Sequence, residues 1–125
     1  MNNNTLILVV VALVGFLAYK KIMATLVAGK AKKILDSGEK LVIVDVRSAG
    51  EYSGSHIKGS IHIPLESVQT RIAKMAPKKD AAVMVYCQSG SRSAAAAVTL
   101  RRMGYTQVLN LGGIGNWKHG VEGAQ

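Results

Sequence analysis

A chain of 125 residues is long enough for one domain and little more. Apolar residues make up 49% and charged ones 18%, which excludes a disordered polymer, and a single cysteine excludes an intrachain disulfide and fits a reducing compartment. Lys and Arg outnumber Asp and Glu by 16 to 7, and that excess of +9 suits an anionic membrane face or an anionic substrate. Aromatics are only 5%, with no aromatic-basic stripe, zinc-finger pattern or recognition helix, so nucleic acid is not an expected partner.

Thr5 to Tyr19 carries no charge at all. At about 1.5 Å per residue the run is slightly short for roughly 30 Å of hydrocarbon. Lys20 and Lys21 can snorkel, however, which extends the usable span to about Met23 with Tyr19 as an interfacial anchor. A core helix apolar all round would not fit so small a domain. The serious alternative is a cleaved signal peptide, which would export the domain. Against it, no Lys or Arg precedes the run, and Phe16-Leu17-Ala18 is a poor cleavage site. The expectation is a retained single-pass anchor over residues 1–23, in contact with the lipid bilayer. Lys20, Lys21, Lys30, Lys32 and Lys33 follow it, so the positive-inside rule places the domain on the cytoplasmic side. The same lysines suit anionic lipid headgroups.

Residues 24–40 read as a basic helix leading into the domain. Leu26, Val27, Ala31, Ile34 and Leu35 recur at helical spacing over Ala24 to Ser37, and Gly38 is the stop. The helix either continues from the span or hinges at Gly29. Residues 41–125 form the domain proper. Leu41 to Val46 is a short apolar run broken by Asp45, the pattern of a strand buried on both faces. Asp45, Arg47 and Glu51 follow at its carboxyl end, and an Arg47–Glu51 ion pair fixing the loop is the simplest reading of them. Ser60 to Ile63 is a second strand ending at Pro64, and Leu65 to Met75 a helix closed by Pro77. Val83 to Tyr86 is a third, β-branched strand that ends at Cys87. A polar loop, Gln88-Ser89-Gly90-Ser91-Arg92-Ser93, precedes an alanine-rich helix from Ala94 to Met103 with Gly104 as its stop. Gln107 to Leu111 is a further strand, Gly112-Gly113 a flexible turn, and Ile114 to Gly120 a last short helix packed through Trp117, a core residue. Strands alternating with helices indicate an α/β fold, a parallel sheet with helices on both faces.

Cys87 is where the chemistry concentrates. A lone cysteine is commonly a small buried hydrophobe. An inert one, however, has no need of a Ser/Gly/Arg-rich loop immediately after it. Unpaired amides of that loop and of the helix's first turn favour negative charge at the sulfur, lowering a thiol's pKa and stabilising a bound anion. Arg92 adds a cation. With one cysteine and three scattered histidines, no metal site is expected, and no nucleotide-binding glycine pattern calls for a cofactor.

Cys87-x-x-Gly90-x-Arg92-Ser93 resembles the active-site loop of single-domain rhodaneses, a family of sulfurtransferases. Val44 to Pro64 (VDVRSAGEYSGSHIKGSIHIP) is similar to the family's amino-terminal signature, with Ser55 where relatives often carry Gly. Leu109 to Gly120 resembles its closing Gly-Gly-x-x-x-Trp segment. The resemblance implies a rhodanese-like domain that moves sulfane sulfur from a small anionic donor, thiosulfate or a persulfide, to cyanide or an external thiol or protein acceptor. Cys87 would carry the sulfur as a persulfide, the loop from Gln88 to Ser93 would bind the substrate, and Asp45 and Arg47 would shape the pocket. It also implies that His56 is not required as a base. A cysteine phosphatase or arsenate reductase is disfavoured, because four residues separate Cys87 from Arg92 where phosphatase loops resemble Cys, five residues, Arg. A second reading is a tethered sulfur carrier with little turnover on free thiosulfate. Lacking a second cysteine, the chain cannot resolve its own persulfide, so the acceptor comes from outside.

Overall fold

In the computed structural model, which describes residues 2–123, two apolar strands sit at the centre of a four-stranded parallel sheet. These are β1 (Leu41–Asp45) and β4 (Ala82–Cys87), flanked by β3 (Ile61–His62) and β5 (Gln107–Gly113) in the order β3-β1-β4-β5. Because side chains alternate along a strand, each central strand is apolar on both faces. Val42, Val44, Val83, Val85 and Cys87 face one helical layer, and Ile43, Met84 and Tyr86 face the other. The first layer is α3 (Val68–Met75) and α4 (Ser91–Arg102), contributing Val68, Ile72, Ala96, Ala97 and Leu100. The second is the carboxyl-terminal end of α1 (Asn3–Asp36) together with Ile57, Leu109, Leu111 and Trp117. Large side chains such as Ile57, Ile72, Leu100 and Leu111 are wholly buried, each contributing about 1.5–3 kcal/mol by leaving water. This is the α/β architecture that the strand and helix pattern indicates.

The first helix is continuous. α1 runs for 34 residues straight through Gly29, capped at its start by the Asn2 side chain, which accepts from the Thr5 amide at 2.8 Å. Only Ala24, Ala28 and Ala31 are buried along it, three small residues on one face that let the helix lie close on the sheet. Its apolar stretch projects from the domain with Leu6 to Tyr19 exposed, and it is long and apolar enough to cross a membrane.

Other elements depart from expectation in instructive ways. Leu65 to Ser67 is a 3-10 turn that becomes α3 only at Val68, with Pro64 as the cap before it. α4 starts at Ser91 rather than Ala94, so the loop after Cys87 is only Gln88 to Gly90. Gly90, at φ +111°, makes the sharp entry that a side chain would resist. The expected last helix is a single 3-10 turn, Ile114–Asn116, and the chain then extends as β6 (Val121–Glu122) to pair antiparallel with β2 (His56–Ile57). Between β1 and β2 lies α2 (Ala49–Gly54), held by a capping box in which Ser48 and Glu51 satisfy each other's backbone amides.

Candidate active site

Cys87 ends β4 at the carboxyl edge of the sheet, where open α/β folds place their sites. Its side chain is wholly buried under the loop that follows. Two amides converge on the sulfur, Gly90 N–H at 3.0 Å and Ser93 N–H at 3.3 Å. Both belong to the start of α4, whose unpaired amides and dipole aim at the same atom. Burial pushes the Cys87 thiol up and is the largest single influence on it. Donation from Ser93, Gly90 and Ser89 together outweighs that effect, so the thiol sits below its ordinary value. The Ser93 hydroxyl donates to the Gly90 carbonyl at 3.0 Å and closes the first turn. The result is a site that favours the thiolate form of Cys87 through backbone amides, without an adjacent base.

The ion pairs are not those the sequence suggested. Arg47 does not pair with Glu51. Its guanidinium grips Asp45 two residues back, with Nη2 2.7 Å from Oδ2 and Nε 3.0 Å from Oδ1, both residues buried. The same guanidinium donates to the Gln88 side-chain oxygen at 3.0 Å and to the Ser55 carbonyl at 2.6 Å. One buried cation therefore ties the end of β1, the start of the cysteine loop and the turn before β2 into a single brace. Glu51 is instead taken by Arg92 from the first turn of α4, in two contacts of 2.7 and 3.0 Å. Arg92 first, with the Ser48 amide behind it, lowers the Glu51 carboxyl to about 2. Both arginines near Cys87 are thus already neutralised by carboxylates.

His56 is occupied locally. Its Nδ1 lies 2.7 Å from the Tyr52 carbonyl and its ring stacks on Tyr52 at 3.8 Å. Trp117 lies in the core, 6% exposed. Among the described residues no cluster of His, Cys, Asp and Glu could hold a metal ion. Of the residues singled out from sequence, Gly90 and Ser93 meet the sulfur through their amides, Gln88, Ser89, Ser91 and Arg92 complete the same loop and first helical turn, and Asp45 and Arg47 brace that loop through Gln88 from the neighbouring strand.

Two contributors escaped the sequence reading. Glu51 was assigned to the wrong arginine. Gly113, read as half of a flexible turn, lies directly beneath the loop, and a β-carbon there would stand 2.7 Å from the Gln88 carbonyl oxygen. Only the doubled glycine hints at that close approach.

Fold and site together define a parallel α/β domain with a buried free cysteine at a helix amino terminus. Residues 27–119 match the family model for the rhodanese-like domain, and the chain belongs to that family. It is 45% identical over 71 residues to the thiosulfate sulfurtransferase PspE of Escherichia coli K12, covering 57% of this chain and 68% of that one. It is 39% identical over 80 residues to the putative sulfur carrier protein YrkF of Bacillus subtilis, covering 64% of this chain but only 42% of that one. Among solved structures, a rhodanese with anions from E. coli superposes with a TM-score of 0.66 at 38% identity, over 68% of this chain and all of that one.

Proposed function

We propose that the protein is a membrane-anchored sulfurtransferase in which Cys87 carries sulfane sulfur as a persulfide. The observation that carries this reading is the pair of amides, Gly90 and Ser93, aimed at a thiol whose pKa is lowered. Cys87 thiolate attacks the outer sulfur of thiosulfate, the S–S bond to the sulfonate breaks, and sulfite leaves with the electron pair. Cys87 is left as a persulfide anion. An external nucleophile, cyanide or a thiolate, then attacks the terminal sulfur, and the Cys87 thiolate is regenerated with no net redox change. Covalent catalysis of this kind splits one transfer into two easier ones. The short loop, with small residues Ser89, Gly90 and Ser91, lets several amides approach the terminal sulfur as an oxyanion hole approaches an oxygen. Asp45 and Arg47 shape the pocket through Gln88.

A carrier role is the second reading. It is favoured by the burial of the resting thiol, which slows small donors unless a protein partner opens the loop at exposed Gln88 and Ser89. The exposed apolar stretch of α1 is the proposed anchor, with the lysines from Lys21 onward at the cytoplasmic headgroups. Intact-mass spectrometry of the full chain in neutral detergent tests the chemistry. Thiosulfate adds one sulfur, about 32 Da, to the wild type and not to Cys87→Ser, and cyanide removes it. No adduct from thiosulfate or any persulfide donor overturns the reading. An adduct with slow turnover assigns the carrier role.

A further inference from the structure

The two arginines beside Cys87 are closed into ion pairs with Asp45 and Glu51, so neither offers an uncompensated charge to an anion arriving at the loop. A third cation comes from a distant part of the chain. The middle of α1, from Phe16 to Val27, faces the cysteine loop across a groove of about 820 Å3, bounded by Phe16, Lys20 and Ala24 on the helix and by Ser89, Gly90 and Gly112 opposite. The Lys20 Nζ stands 3.9 Å from where a β-carbon on Gly90 would lie. Gly90 is the residue whose amide reaches the sulfur at 3.0 Å.

The placement is held by packing. Ala24 is buried against the domain, and Lys20 lies one helical turn before it on the same face. Among the described residues, Lys20 forms no salt bridge; its ammonium lies 5.7 Å from the Phe16 ring. We propose that Lys20 is a specificity-determining residue of the Cys87 site, its ammonium drawing anionic reagents to the loop across the groove. The identity of the natural anion as a sulfur donor rests on the function proposed above. The charge effect itself does not.

The protein has one cysteine, so alkylation reports on Cys87 alone. The full chain in neutral detergent is treated with iodoacetate, an anion, and with iodoacetamide, its neutral counterpart. In Lys20→Gln the iodoacetate rate falls about threefold and the iodoacetamide rate holds, and adduct formation with the dianion thiosulfate falls roughly tenfold, as a screened charge near contact distance requires. Lys20→Arg restores both. Lys32→Gln, on the same helix and with the same loss of net charge, changes neither ratio. An unchanged ratio in Lys20→Gln, an equal fall in Lys32→Gln, or a wild-type thiol inert to both reagents overturns the proposal. If the alkylation ratios shift as expected while thiosulfate leaves no adduct on the wild type, the charge effect stands and the sulfur-transfer reading fails.

Discussion

Gly113→Ala tests whether the cysteine loop is positioned by the strand beneath it. The added β-carbon would stand 2.7 Å from the Gln88 carbonyl oxygen, 3.5 Å from its carbon and 3.6 Å from the Ser89 Cα. All three are backbone atoms, so no flexible side chain can swing away. The first contact is about 0.7 Å inside ordinary packing distance, and overpacking of this kind costs about 1–3 kcal/mol. Strand β5 is anchored in the sheet by its pairing with β4, whereas Gln88 and Ser89 are exposed, so the loop is the part that yields. Displacement there lengthens the Gly90 N–H contact to the sulfur, now 3.0 Å. A hydrogen bond to a charged group is worth about 1.5–3 kcal/mol, and about 1.4 kcal/mol is a factor of ten in the thiolate population. The Cys87 thiol is therefore expected to rise toward its ordinary value, because the amide donation that offsets its burial is weakened. The assay is the pH dependence of iodoacetamide alkylation. At neutral pH the variant reacts roughly tenfold or more slowly than the wild type. Gly115→Ala, where a β-carbon meets nothing within 4 Å, is the matched control. A Gly113→Ala protein with the wild-type alkylation profile would refute the claim that the glycine supports the thiolate.

Glu51, lowered to about 2 from 4.5 in the folded protein by Arg92 and Ser48, contributes stability that is present above pH 4.5 and lost as pH falls toward 2. Acid titration of unfolding should therefore show a shallower slope between those values in Glu51→Gln than in the wild type, with only a small difference at neutral pH because the pair is partly exposed; identical slopes would contradict the pairing. Deleting residues 2–19 removes only exposed positions and keeps Ala24, Ala28 and Ala31. The truncated chain is expected to unfold at the same denaturant midpoint as the full chain in detergent but to lose sedimentation with lipid vesicles, and a large loss of stability would place the apolar stretch in the fold rather than in a bilayer.

Much of this protein is determined locally and is legible in its sequence. The strand pattern of β1 and β4, the helix that follows Cys87 and the apolar run of α1 are each decided by residues adjacent along the chain, through side-chain alternation, helical spacing and glycine conformation. The site's core is legible for the same reason, since the sulfur and the amides of Gly90 and Ser93 lie within seven consecutive residues. Only the tertiary structure decides the rest. Arg47 has carboxylates two and four residues away and takes the nearer one, Asp45, because both are buried at the end of one strand. That leaves Glu51 to Arg92, 41 residues further on. β6 reads as neither strand nor helix because two residues carry no period, and it exists only through its pairing with β2. Gly113 under Gln88 and Lys20 beside Gly90 are likewise contacts between segments distant in sequence. Such contacts depend on how the sheet stacks its strands and on which face of α1 is buried, and only the assembled packing decides either.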